Sequence, residues 1–422
     1  MSSSKNYLLS ITIIGILFFI FGFLTWVNGT LIPYFKIACE LKTDVQSYLV
    51  ATAFFIAYTV MAIPASMVLR KTGYKRGMAI GLLIMSIGAV IFIPAASMRQ
   101  FNLFLVGLFV IGTGMALLQT ASNPYVSIIG PIESAASRIS IMGICNKVAG
   151  IIGGLIFGYI ALSDADAVIH NLKTMDDITK AATLDELAAR VIVPYIIIAT
   201  VLAAFAVAIL FSGLPDINDE GSSEGTVSSN DNKTSVFQFP HLLLGVLALF
   251  LYVGTEVMAG DTIISYGKSL GIELSTARFF TQGTLVCMLL GYIVGIATIP
   301  KYISQANALK YCSILGAAFS ILAVVTEGYV SVAFIALLGL ANSLMWPAIF
   351  PLAIEGLGKF TKTGSALLVM AISGGAIMPL VYGLISDSIG STRIAYIIMA
   401  PCYLFILYYA VKGHNVGKKS IA

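Results

Sequence analysis

Residues 216–236 read DINDEGSSEGTVSSNDNKTSV, a polar stretch rich in Gly and Ser and almost free of large apolar side chains. Such a composition cannot bury a core, so it reads as a flexible linker. Upstream of it, apolar runs occupy 8–35, 47–69, 77–97, 101–128, 137–161 and 190–212; downstream, they occupy 240–265, 275–298, 305–325, 329–352, 363–386 and 391–411. Each is long enough to cross about 30 Å of hydrocarbon as an α-helix. The reading is an all-α membrane protein with twelve transmembrane helices in two six-helix halves, residues 1–215 and 237–422, joined by a cytoplasmic linker at 216–236. Transporters whose halves rock about a central site are built this way.

Of the 422 residues, 58% are hydrophobic and 10% charged, and the mean hydropathy is +0.95. These are values for a multi-pass chain whose solvent is largely lipid. The first run begins near Leu8 and continues to about Phe35 with no small-residue cleavage pattern, which predicts a retained first span. Arg70, Lys71, Lys75 and Arg76 share the loop after the second span, Lys359 and Lys362 the loop after the tenth, and Lys412, Lys418 and Lys419 the tail. By the positive-inside rule that face is cytoplasmic, with both termini inside. The loop 163–189 is then external, carrying six carboxylates, among them Asp164 and Asp166, and allowing short surface helices.

Among the ionisable residues inside apolar runs, Lys147 in the fifth and Glu256 and Asp261 in the seventh stand out. A charge at bilayer depth costs several kcal/mol unless it meets water or an opposite charge, so these residues mark a pathway. Glu256 and Asp261 are five apart, about 140° around a helix, which separates their contacts. Glu256 reads as the deeper of the two, and Asp261 as nearer the external end, within reach of water. Lys147 reads as a group that neutralises a carboxylate, bonds a ligand or replaces a bound cation.

A polyhydroxylated solute needs amide and carboxylate partners and an aromatic face for its apolar side. Asn28, Gln119, Asn123, Asn146, Glu256, Gln282, Asn342 and Trp346 supply those types on six spans, and they are the candidate substrate-binding residues. Trp26 is the only other tryptophan. Gln119, Asn123 and Pro124 in the fourth span are echoed by Asn342, Trp346 and Pro347 in the tenth, and both prolines are expected to kink their helices. Gly143, Gly150, Gly154 and Gly158 in the fifth span, with Gly374 and Gly375 in the eleventh, allow close helix approach.

Other classes are excluded in turn. Five scattered Cys without a CxxC pair and three peripheral His offer neither a disulfide framework nor a zinc or haem site. They assemble no catalytic constellation either, so no enzyme and no cofactor are expected. No GxxxxGK[ST] run powers an ATPase, and no TVGYG filter marks a potassium channel. A net charge of +4 is small and suggests no nucleic-acid partner.

The stretches VNGTLIPYF (27–35), LLQTASNPYVSIIGP (117–131), FLYVGTEVMAG (250–260), LGLANSLMWPAIFPLAIEGLG (338–358) and ISGGAIMPLVYGLISD (372–387) resemble the major facilitator superfamily. Within it they resemble the fucose:proton symporter family, particularly its glucose/galactose transporter branch. The resemblance runs over nearly the whole chain. It implies the major facilitator fold and cation-driven import of hexoses or deoxyhexoses across the bacterial cytoplasmic membrane.

Two positions depart from that resemblance. Proton-using members have an Asp where Gly29 stands, and fucose transporters a Glu where Gln119 stands; neither residue here titrates. The glucose/galactose branch resembles this chain in Gln119 and Glu256, and sodium dependence occurs within that branch. The expectation is therefore a monomeric, sodium-coupled hexose symporter, with Asp261 as metal ligand and Glu256, Asp261 and Lys147 as ion-coupling or charge-compensating residues. The alternatives are a proton-coupled hexose or fucose symporter and a facilitative uniporter. Lys147, where relatives have a small polar residue, weighs against a bound cation.

Overall fold

The computed structural model describes residues 2–128, 135–213, 234–299 and 301–418. Most of the linker, residues 216–233, lies outside them. Among the described residues, eleven helical segments are long and apolar enough to cross a membrane, and one of them, Asp44–Ser97, holds the second and third spans. Gly73 divides it with φ 75° and ψ 173°, a backbone conformation that needs no Cβ. The twelve-span reading stands. Large apolar residues such as Ile63, Val193, Ile197, Phe211 and Leu404 are exposed, as side chains facing lipid are. The core of the first half is aromatic: Phe35 packs on Phe104, and Phe92 stacks on Tyr195 at 3.7 Å.

Several spans are broken, and the breaks position the functional side chains. The first runs Ser2–Trp26 and then Asn28–Ala38. The seventh runs Pro240–Asp261 and then Ile263–Ser269, with the Thr262 hydroxyl between them donating to the Met258 carbonyl at 2.7 Å. The tenth runs Gly328–Asn342 and then Met345–Ile354. Its break precedes Pro347, which therefore sits in the first turn of the second piece, where a missing N–H leaves no bond unmade. The fourth span continues from Phe101 to Ile128 through Pro124, so the helix is not interrupted there. The external loop forms the two short helices Ala165–Leu172 and Asp177–Ala189, as its periodicity allows.

We call the face bearing this loop the outer face, following its charge. The halves meet along two seams: the second span against the eleventh (Thr361–Met370 and Gly374–Ile389), and the fifth (Ala135–Leu162) against the eighth (Phe280–Thr298). The outer pieces of the first and seventh spans also pack together. The fourth and tenth spans make no extensive contact among the described residues. The halves are thus closed toward the outer face.

Candidate substrate and coupling site

The fifth span carries one side of the site, and its glycines set how close the other half comes. A Cβ on Gly150 would lie 2.9 Å from Leu285 of the second half, besides 2.5 Å from the Trp26 ring of its own half; one on Gly154 would lie 2.1 Å from the Gln282 amide; one on Gly143 would lie 3.3 Å from the Tyr292 ring. Because these positions have no side chain, Lys147 reaches across the seam. Its Nζ lies 3.1 Å from Glu256 Oε1, with side-chain exposures of 7% and 12%. The ammonium also sits 4.2 Å from the centre of the Trp26 ring, a cation–π contact. Trp26 Nε1 donates to Asn146 Oδ1 at 3.2 Å. Tyr252, Tyr292 and Tyr403 also lie within electrostatic reach of Glu256.

The remaining amides are spread around this centre. Gln119 Nε2 donates to the Tyr58 hydroxyl at 2.8 Å, both in the first half. Asn342 is fully buried; its Oδ1 accepts from the Tyr403 hydroxyl at 2.9 Å and its Nδ2 has no protein partner. Gln282 and Asn28 are buried with neither end of their amides bonded to protein. Trp346 is half-buried and stacks on Phe350. The side chain of Asn123 lies outside the described residues. Lys147, Asn146 and Glu256 are thus brought together, while Gln119 and Asn342 are held by partners within their own halves.

Asp261 departs from expectation. It is 1% exposed, and neither carboxylate oxygen has a protein hydrogen bond. The cause is the break in the first span, which lays Gly29 against the seventh: a Cβ there would meet the Gly260 carbonyl at 3.0 Å and the Asp261 Cα at 3.2 Å. Asp261 is sealed into the seam rather than open to water. Among the described residues, no three His, Cys, Asp or Glu side chains gather as a metal site.

Above this level an aspartate from each half crosses to the other. Asp387, at the end of the eleventh span, accepts from the backbone N–H of Asp44 and of Val45, both at 3.3 Å, at the N-terminus of the second span. Asp166, from the outer loop, pairs with Lys268 at 2.7 Å and accepts from the Ser275 N–H at 3.0 Å, where the short helix Leu274–Ala277 begins. Helix N-termini carry unsatisfied donors and a positive dipole end, so each contact is a cap supplied in trans. An outer pocket of about 680 Å³ opens beside them, lined by Asp44, Ser269, Glu327, Asp387 and Arg393.

Sequence reasoning did not find Tyr58 or Tyr403 as amide partners, nor the trans caps, and it left the place of Trp26 open. Tyr is frequent in this chain, with 19 copies, and no local pattern marks those that bond across spans.

A family model described as Major Facilitator Superfamily matches residues 14–376. A glucose/galactose transporter of Brucella abortus biovar 1 is 35% identical over 421 residues, which cover 98% of this chain and 96% of that protein. An L-fucose-proton symporter of Escherichia coli K12 is 31% identical over 412 residues, 96% of this chain and 93% of that one. Among solved structures, that of the transporter FucP in the outward conformation has a TM-score of 0.73 at 29% identity, covering 96% of this chain and 98% of that one.

Proposed function

The chain belongs to the major facilitator superfamily, and on that premise we propose that it imports a hexose across the bacterial cytoplasmic membrane by alternating access, driven by protons. That it is a sugar transporter of this superfamily, and no enzyme, follows from its relatives; the substrate, the coupling ion and the residue roles are our reading.

The observation that carries this reading is the ion pair joining Lys147 of the first half to Glu256 of the second. A carboxylate in this seam is stable as an ion only while the ammonium faces it, because an unpaired buried charge costs several kcal/mol. Parting the halves breaks that pair, so the charge balance around Glu256 changes with the conformational cycle, and in this reading that change ties proton movement to transport. We assign Asn146, Gln282, Asn342 and Asn28 to the sugar hydroxyls, together with Gln119 and Asn123 on the first half and Trp346 on the second. The free Nδ2 of Asn342 and the unbonded amides of Gln282 and Asn28 support this assignment.

The sodium expectation finds no support. Glu256 already faces an ammonium, Asp261 belongs to no cluster of candidate metal ligands among the described residues, and the relatives whose names state an ion are proton symporters. A second reading has one observation in its favour. Lys147 supplies a fixed cation to Glu256 in the structure itself, which suits a facilitative carrier needing no ion from solution. Hexose accumulation in liposomes under an imposed proton gradient distinguishes the two, because a facilitative carrier equilibrates its substrate without concentrating it.

A further inference from the structure

Trp26 ends the first helical piece of the first span and is 3% exposed. What covers it comes from both halves, unequally. From its own half come the Asn146 side-chain Oδ1, which accepts from its Nε1, the Lys147 ammonium over its face, and the backbone at Gly150. From the other half come Gly260, where a Cβ would stand 2.4 Å from the six-membered ring, and the packed side chains of Leu285 and Met288. Helical halves of this kind move as bodies. When the outer seam parts, Trp26 therefore stays with Asn146 and loses Gly260, Leu285 and Met288.

The same motion takes Glu256 away from Lys147. The opened cleft then presents an indole surface stripped of its apolar cover, with an amide and an ammonium beside it. A hexopyranose has a matching pattern, with one C–H-rich face and a rim of hydroxyls, and an aromatic surface with a few convergent polar groups is the chemistry that recognises it.

We propose that Trp26 is a hexose-stacking surface of the outward-open state, and that the second half takes its place on the indole as the outer seam closes. The inference rests on the hexose reading above. It makes one aromatic face serve the sugar and the seal in turn, so seal and sugar compete for it.

The chain has two tryptophans, so the emission of Trp26 is taken as the difference between the unmodified protein and Trp26→Phe. Iodide quenching of that emission is measured on the purified full-length protein with D-glucose, D-galactose or L-glucose added. Equilibrium binding of the labelled D-hexoses is measured on the same preparation and on Trp26→Phe. The expected result is that the bound D-hexose shields Trp26 from iodide while L-glucose does not, and that Trp26→Phe raises the hexose Kd about fivefold at unchanged binding capacity. A hexose that binds without altering Trp26 quenching overturns the proposal, as does a Trp26→Phe protein with unchanged Kd. Lost capacity at unchanged Kd in Trp26→Phe means a packing role only and overturns it too. Absence of hexose binding in the unmodified protein removes the hexose reading and this proposal together.

Discussion

Lys147 Nζ lies 3.1 Å from Glu256 Oε1, and this pair joins the two halves of the molecule in the middle of the seam. Each residue alone is a costly insertion into a bilayer; together they neutralise one another and fasten the closed state. Lys147→Met leaves Glu256 as an unpaired buried carboxylate and is expected to lower stability by about 3 kcal/mol, with transport lost. Adding Glu256→Gln removes the stranded charge and returns most of that stability without restoring accumulation. Thermal unfolding and uptake assays on the two variants separate these effects.

The trans cap from Asp387 to the second span gives a population prediction. Asp387→Asn weakens the outer closure and enlarges the outward-open fraction. The apparent Kd for external hexose then tightens in proportion to that fraction, by at most a few fold, while turnover slows. Binding and uptake kinetics measured side by side check this; a weaker affinity would show that Asp387 supports the site in another way.

Asp166 lies in the outer loop, beyond the fifth span. Burial acts to raise its carboxyl, but the Lys268 ammonium and the N–H groups of Ser275 and Leu274 outweigh that and hold it below the usual carboxylate range. A group depressed in the closed state stabilises that state above its ordinary range and ceases to do so as pH falls through the depressed value. The cap is therefore intact at neutral pH and fails below the ordinary carboxylate range. Lys268→Gln is expected to move that failure up toward about pH 4, the ordinary carboxylate range, read as the pH at which apparent hexose affinity changes.

Gly150 offers a steric test. Any Cβ there meets the Trp26 ring and Leu285 inside normal contact distance, so Gly150→Val holds the seam apart. Uptake is expected to fall by about tenfold or more, because overpacking of about 1–3 kcal/mol pushes Leu285 away, while the clash with Trp26, which lies in the same half as Gly150, remains in both states. Gly154→Ala is milder, since its Cβ meets the movable end of Gln282.

Tyr403 orients Asn342 through its hydroxyl. Tyr403→Phe leaves Oδ1 of a fully buried amide without its partner, a cost of about 1–3 kcal/mol. Rotation of the freed amide is expected to raise KM for hexose several-fold at little change in maximal rate, whereas loss of folded protein alone would lower the rate and leave KM unchanged.

The bundle was largely legible because bilayer depth imposes length and apolarity on every span, and the linker interrupts both. The fifth-span glycines also read correctly as positions of close approach, since absent side chains are visible in sequence. The place of Asp261 was not legible. Its burial depends on the break after Trp26, which brings Gly29 against a helix more than 200 residues away in the chain; Gly29 and Pro33 stand near that break, but nothing in the sequence says which helix they meet. The same holds for the trans caps, whose aspartates look like ordinary loop residues until the other half's helix ends are seen beside them. Lys147 was recognised as needing a partner, but the choice of Glu256 over Asp261 depends on helix rotation, which span boundaries do not fix.

The most direct test is uptake of labelled D-glucose and D-galactose into liposomes containing the purified protein, with voltage clamped and inward proton and sodium gradients imposed separately. The account predicts accumulation above equilibrium with the proton gradient alone, none with sodium, and loss of accumulation in Glu256→Gln. Accumulation with sodium only, or proton-driven accumulation that survives Glu256→Gln unchanged, would contradict it.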